Sequence, residues 1–260
     1  MAEPTLAKIP TDPKAAPLII QPSFARDLKW CRIASSTKHL VGKGMDLNTG
    51  VKVLQEHLEI SNLPFVRGGQ RHTANIRFVT QKDLIAVGKT GAATFDFTDG
   101  FITNLCDVSL IVFTADCVPI VLVEPNARIV GVVHAGWRGT FAEIARCALS
   151  SIQRAGGVPE KVLAWIGPAI QMCCYEVGKD LAGAFEEKFK DLPSDGKTFV
   201  NGSFLDLIHL NKLQLMAEGV SEAHIEIAGY CTRHTPDLFF SYRREGPDTG
   251  RNITSITRLV

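Results

Sequence analysis

Residues 114–140, TADCVPIVLVEPNARIVGVVHAGWRGT, decide how this chain reads. Two apolar runs, 118–123 and 129–133, are separated by the turn signal Pro125-Asn126 and flanked by Cys117 and His134. Both runs are almost unbroken in apolar residues, the pattern of strands covered on both faces. An antiparallel hairpin folding at Pro125-Asn126 sets Cys117 opposite His134, and cross-strand neighbours have Cβ atoms about 5 Å apart. That spacing suits two ligands of one metal, or a thiol and its base. Pro-Asn is not a favoured two-residue hairpin turn, so the register has room to slip by about one or two residues.

Outward from the hairpin, strands are expected at 30–35, 75–79, 101–103, 109–114, 162–166, 224–230, 239–242 and 253–259. Thr49 is placed to cap a short helix whose Val51, Leu54 and Leu58 share a face. Thr140-Phe141-Ala142-Glu143 reads as a capping box opening a helix that buries Phe141, Ile144, Ala145, Ala148 and Ile152 and stops at Gly156-Gly157. A further helix is expected near 180–189, and Ser203 is placed to cap a third that runs to about Glu218. Strands interleaved with helices, hairpins among them, give a mixed-sheet α+β domain. Residues 21–260 show no linker, repeat or composition shift, so one domain is expected there. Residues 1–20, with Pro4, Pro10, Pro13 and Pro17, read as a loose tail or an extended strand laid on the surface.

The chain has 260 residues, 28 basic and 27 acidic, for a net charge of +1. No global field therefore recruits nucleic acid or an anionic membrane, and small-molecule work is the better expectation. The N-terminus is polar and proline-rich without the basic start and apolar core of a signal peptide, and no run approaches the ~20 apolar residues of a membrane span. A cytoplasmic protein is expected. Seven cysteines at irregular spacing argue for free thiols over a disulfide framework.

Cys117 and His134 each sit where an apolar strand breaks into a loop, and strand ends are where such folds expose chemistry. The plain alternative is a small buried thiol and a hydrogen-bonded core histidine. Two functional readings stand beside it: a thiolate activated by an imidazole, or two of the three protein ligands of a catalytic zinc with an open fourth position. His72, in the loop Arg67-Gly68-Gly69-Gln70-Arg71-His72, stands out among the other histidines because glycines flank it. Gly136-Trp137-Arg138-Gly139 before a capped helix offers an anion site with Arg138 as a bidentate fork, against a tight turn with a solvated arginine. Arg243, Arg244 and Arg251 could grip a phosphate or sugar, but spacing alone favours a solvated edge held by Glu245 and Asp248. Cys173-Cys174 is adjacent, not spaced as a redox pair, which disfavours a dithiol oxidoreductase.

Taken together, these segments resemble the laccase-domain family, also called YfiH-like and long labelled polyphenol oxidase. The resemblance is carried by Thr114-Ala115-Asp116-Cys117-Val118-Pro119, by His134-Ala135-Gly136-Trp137-Arg138-Gly139, and by Ile166-Gly167-Pro168 with Cys174-Tyr175-Glu176-Val177-Gly178. It continues through Cys231-Thr232, Phe239-Phe240-Ser241-Tyr242-Arg243-Arg244 and Thr249-Gly250-Arg251, in order from about residue 46 to the C-terminus. The resemblance implies a four-layer α/β/β/α sandwich with zinc held by His72, Cys117 and His134. It also implies Arg138, Arg244 and Asn48 of the Asp-Leu-Asn segment as substrate or phosphate contacts. The family usually has glycine after the Gln-x-His histidine, where this chain has Thr73, and its glycine-rich stretch before Asp46 is shortened to residues 40–45.

The activities implied are phosphorolysis of adenosine, inosine, guanosine or methylthioadenosine and hydrolytic deamination of adenosine, with a purine nucleoside and phosphate as partners. The chain lacks the Pro-Cys-x-x-Cys that completes the His-x-Glu signature of cytidine-type deaminases. A laccase-type copper oxidase needs a histidine-rich trinuclear cluster, which seven scattered histidines without His-x-His pairs do not supply, so copper is expected only as an adventitious substitute for zinc. A metal-independent cysteine hydrolase using Cys117 and His134 is a further alternative, and a noncatalytic zinc-binding partner protein is disfavoured because three ligands leave an open position.

Overall fold

The structure, a computed structural model, describes residues 16–88 and 91–260. Residues 1–15, most of the expected tail, lie outside the described residues. Chain order begins β1 (Ile19–Ile20), β2 (Cys31–Ser36), α1 (Leu47–His57), β3 (Phe65–Gly68), β4 (Ile76–Phe78), α2 (Gln81–Val87) and β5 (Ala92–Phe95). It continues through β6 (Gly100–Thr103), β7 (Ser109–Thr114), β8 (Val118–Glu124), β9 (Ile129–Ala135), α3 (Trp137–Phe141), α4 (Ile144–Arg154) and β10 (Leu163–Ile166). The remainder is α5 (Lys179–Phe189), β11 (Val200–Asn201), β12 (Phe204–Leu205), α6 (Leu207–Ala217), β13 (Ile225–Ile227), α7 (Tyr242–Glu245) and β14 (Asn252–Arg258).

Two six-stranded sheets form, in the orders β1-β2-β14-β7-β3-β5 and β13-β10-β8-β9-β6-β4. Each mixes parallel and antiparallel pairs, as in β3 with β7 and β8 with β9. Period-two alternation along β8 explains its unbroken apolarity. Val118, Ile120 and Leu122 pack with Ala145, Ala148 and Ile152 of α4, while Val121 and Val123 meet Leu110 and Val112 of the other sheet. On the far side, Val51 and Leu54 of α1, with Leu58 just past its end, pack on Ile111, Phe113 and Ile253. The result is the α/β/β/α sandwich expected.

The hairpin forms, in a register shifted from the expected one. Pro119 pairs with His134 and Val118 with Ala135, so Cys117 falls beyond the ladder, toward Gly136. The cause is the turn: residues 125–128 form a four-residue connection that ends with Arg128 in the left-handed region at φ 54°, in place of a two-residue turn. Other boundaries move for equally local reasons. Asp46, not Thr49, caps α1, its carboxylate accepting from the amides of Asn48 and Thr49. Asp206, not Ser203, caps α6 through His209 N. The capping box at Thr140 does not form: Thr140 lies inside the short α3, its hydroxyl accepts from Asn211, and Glu143 turns left-handed at φ 61° before α4. The long helix therefore does not begin beside Arg138. Residues 239–242 form no strand, because Ser241 accepts from Arg244 N and starts α7.

Topology gathers one end of the inter-sheet core. The chain leaves the first sheet at the ends of β3 and β7 and crosses to β4 and β8 of the second. Since β3 runs parallel to β7, and β8 and β6 run antiparallel to β9, the β3–β4 loop, the β7–β8 crossing, the start of β6 and the end of β9 converge. These four segments carry His72, Cys117, Asp99 and His134. Among the described residues no helix is long and apolar enough to cross a membrane.

Candidate active site

The β3–β4 loop reaches the site because two glycines let it hug the neighbouring chain. A Cβ on Gly68 would stand 2.0 Å from the Thr98 carbonyl oxygen, and one on Gly69 2.6 Å from Asp96 Oδ1. Gln70 then adds a side-chain rung to the end of β7, donating from Nε2 to the Phe113 carbonyl at 2.6 Å and accepting from Phe113 N at 2.8 Å. His72 follows in the left-handed region at φ 61°. Its Nε2 lies 3.8 Å from Cys117 Sγ, and one donor atom each from His72, Cys117 and His134 lies within 4.8 Å of the others. The two imidazoles meet edge to face with centroids 5.0 Å apart. His134 is buried, Cys117 partly covered and His72 exposed, so the cluster opens to solvent on the His72 side.

Asp99 organises this cluster, and the sequence reading missed it. Fully buried, it accepts from His134 Nδ1 and His72 N through Oδ1, at 2.9 and 3.0 Å. Oδ2 accepts from the amide and hydroxyl of Thr73, at 2.9 and 2.7 Å. Thr73, where the resemblance implies a glycine, is thus bound into the site. Burial alone would raise the Asp99 pKa; the hydrogen bonds from His134 and Thr73 outweigh it and hold the carboxyl below its ordinary value. With Nδ1 engaged, His134 presents Nε2 toward Cys117. Burial pushes the Cys117 thiol up, but the charge of His134 and hydrogen bonds with both histidines draw it down to about 6. The reverse holds for His134: burial lowers it, while Cys117 and Asp99 raise it to about 9. A thiolate and two imidazoles converging with a carboxylate behind one of them suit a borderline metal such as zinc.

Gly136 closes the floor. A Cβ there would lie 2.6 Å from His72 Cδ2 and 3.1 Å from Cys117 Sγ. Asp116, left-handed at φ 96°, is structural: its carboxylate accepts from the Thr232 hydroxyl and from Arg243 N, both at 2.6 Å, tying Thr232 and α7 to the base of Cys117.

A cationic wall stands beside the cluster. Tyr175 lies close enough to Cys117, Arg243, Asp116 and Arg138 to feel all four charges; burial, then the thiolate, push its phenol up to about 12. The Arg243 guanidinium lies 5.2 Å from the Tyr175 ring centroid and donates to the Glu176 carbonyl. Arg138 stacks on Trp137 at 4.1 Å and is otherwise exposed. Arg244 is spent on the chain itself, donating to the carbonyls of Thr232, Arg233 and Phe239 and to Glu245. Asn48 sits in the first turn of α1, with its buried Oδ1 unpaired.

Residues 44–259 match the family described as multi-copper polyphenol oxidoreductase laccase. The chain belongs to this family. It is 35% identical to an adenosine deaminase, RL5, from an unknown prokaryotic organism, over 73% of each chain. It is 32% identical to the purine nucleoside phosphorylase YlmD of Bacillus subtilis, over 84% of this chain and 79% of that one. The crystal structure of YlmD from Geobacillus stearothermophilus superposes with a TM-score of 0.80 at 31% identity, covering 94% of this chain and 99% of that one.

Proposed function

We propose that this chain is a zinc-dependent purine nucleoside enzyme. It splits adenosine, inosine, guanosine or methylthioadenosine with phosphate and deaminates adenosine to inosine. The observation that carries the reading is the convergence of His72, Cys117 and His134 beside Arg138, Tyr175 and Arg243, in a chain related to enzymes named for both reactions.

His72, Cys117 and His134 would hold the metal, with Asp99 orienting His134. Zinc at this place supplies Lewis acidity, which suits charge leaving on a purine or the activation of a water. In phosphorolysis a phosphate oxygen bonds to the ribose C1′ as the bond from C1′ to the purine nitrogen breaks, the electron pair leaving with the base. Arg138 and Arg243 would pair with the phosphate through charge-assisted hydrogen bonds and hold it in line. Tyr175, whose phenol keeps its proton at neutral pH, offers a ring against the nucleoside and an O–H donor. Among the described residues, no metal-sized group contains more than two of the seven histidines, which disfavours a trinuclear copper centre.

The paired thiolate and imidazolium favour one second reading, a cysteine hydrolase that needs no metal. One experiment separates the two: zinc quantification on wild type and Cys117→Ser, with adenosine and phosphate incubations resolved by chromatography before and after chelation. Adenine or inosine produced by the zinc-loaded protein, lost with a chelator and restored by zinc, is expected. Neither product from zinc-loaded protein overturns the nucleoside reading, and chelator-resistant activity blocked by iodoacetamide overturns the metal.

A further inference from the structure

A second group of ligand atoms lies in the two loops that follow β10 and β13. Cys173 and Cys174 come from the first loop, and Cys231 and His234, spaced as Cys-x-x-His, from the second. The Cys173 Sγ stands 3.6 Å from Cys174 Sγ, 3.9 Å from Cys231 Sγ and 3.5 Å from His234 Nδ1, and all four donor atoms lie within 4.8 Å of one another.

The three distances from Cys173 match edges of a metal tetrahedron. Zinc bonds of about 2.3 Å to sulfur and about 2.0 Å to nitrogen, at tetrahedral angles, place sulfurs about 3.8 Å apart and sulfur from nitrogen about 3.5 Å. All seven cysteines are free thiols in the structure, so no disulfide accounts for the approach. Cys174 and Cys231 are buried against Ile170 and Tyr175, while Cys173 and His234 are exposed, which leaves the ion a path of entry. Three soft thiolates and an imidazole are a donor set that selects zinc over magnesium or calcium.

We propose that Cys173, Cys174, Cys231 and His234 bind a structural zinc ion. Four protein ligands close the coordination sphere, so this ion stabilises and does not catalyse. Binding Zn²⁺ to three thiols and a neutral imidazole releases three protons, one from each thiol. What the ion joins gives it a purpose. The first loop carries Tyr175, next to Cys174. The second carries Thr232, next to Cys231, whose hydroxyl donates to Asp116 beside Cys117 and whose carbonyl accepts from Arg244. The backbones of the two loops meet here at the bridge of Ala169 with Cys231. The zinc would staple the loop that carries Tyr175 of the wall to the loop whose Thr232 holds Asp116 beside Cys117.

The test is zinc per chain on the full-length protein purified without chelator, for wild type, Cys117→Ser, Cys173→Ser and His234→Ala. The last two alter exposed side chains and leave the buried thiols in place. Wild type is expected to hold about two equivalents, and each of the three variants to lose about one. Cobalt-substituted Cys117→Ser should keep the intense sulfur-to-metal charge-transfer absorption of a multi-thiolate tetrahedral centre. Zinc-free Cys117→Ser overturns the proposal, as does a non-reduced wild type two daltons light with a disulfide mapped among Cys173, Cys174 and Cys231. If instead Cys117→Ser keeps the full zinc content of wild type and Cys173→Ser loses it, this site stands and the metal reading of His72, Cys117 and His134 fails.

Discussion

Asp99 and His134 are joined twice, side chain to side chain and backbone to backbone. The carboxylate accepts from His134 Nδ1 at 2.9 Å, and the Asp99 carbonyl accepts from His134 N at 2.7 Å. The same carboxylate also takes the amides of His72 and Thr73, so one buried side chain sets the positions of two imidazoles from different segments.

Asp99→Asn tests that arrangement with little change of size. An amide cannot accept on both sides at once, so one of its edges presents N–H to groups that are themselves donors. Zinc affinity is expected to fall by about 10- to 100-fold, the usual consequence of losing a carboxylate behind a ligating histidine. Competition with a chromophoric chelator measures it, and unchanged affinity would remove Asp99 from the site.

Gly136→Ala probes the floor. The φ of Gly136 is −75°, which any residue adopts, so the backbone is not strained by the change. Only the new methyl matters, 2.6 Å from His72 Cδ2. It should push the exposed His72 aside and weaken zinc binding by about tenfold or more while the melting temperature stays near that of wild type. Equal losses of melting temperature and of zinc would show instead that the methyl disturbs the fold.

How far the site was legible follows from where its information lies. Cys117 and His134 show themselves because each ends an apolar run, and the hairpin linking them is local in sequence. His72 emerged from its glycine-flanked loop and its motif. Asp99 did not, since its role exists only once β6 pairs with β9 and the β3–β4 loop folds over it. Apolar strands interleaved with helices made the mixed-sheet α+β domain legible, and the resemblance implied its four layers, whereas helix starts were not legible: at Thr49, Thr140 and Ser203 a better-placed carboxylate or a left-handed residue took the cap.

The coupled titration of Cys117 and His134 gives a pH prediction for metal-free protein. The thiol is drawn from 9.0 down to about 6, so between those values the folded chain binds fewer protons than the unfolded one and this group adds stability as pH rises. That contribution is lost as pH falls through about 6. The imidazole, raised from 6.5 to about 9, works in the opposite sense: its contribution is complete below 6.5 and lost as pH rises through about 9. The slopes oppose each other and cancel between about pH 6.5 and 9, and above about 9 both states have lost both protons, so the pair's contribution should be flat above about pH 6.5 and decline only slightly as pH falls from about 6.5 to about 6. Alkylation of Cys117 by iodoacetamide reads the thiolate directly. Its midpoint should lie near pH 6 and move upward in His134→Gln; a wild-type midpoint near 9 would refute the pairing.

Adjacent arginines in α7 should behave oppositely. Arg243 is exposed, with its guanidinium over Tyr175, and Arg244 has given its donors to three carbonyls and Glu245. Arg243→Ala removes a charge from the wall beside the cluster without stripping the chain of much support. Losing one charge-assisted contact of about 1.5–3 kcal/mol should raise the KM for phosphate by at least about tenfold, with the melting temperature close to wild type. Arg244→Ala leaves the carbonyls of Thr232, Arg233 and Phe239 without their donor and should cost about 2 kcal/mol of folding stability. Denaturation curves and phosphate saturation on both variants separate the roles. A phosphate KM that rises in Arg244→Ala at unchanged stability, and not in Arg243→Ala, would reverse the assignment, because an arginine held by the chain can bind substrate only by first releasing the loop it secures.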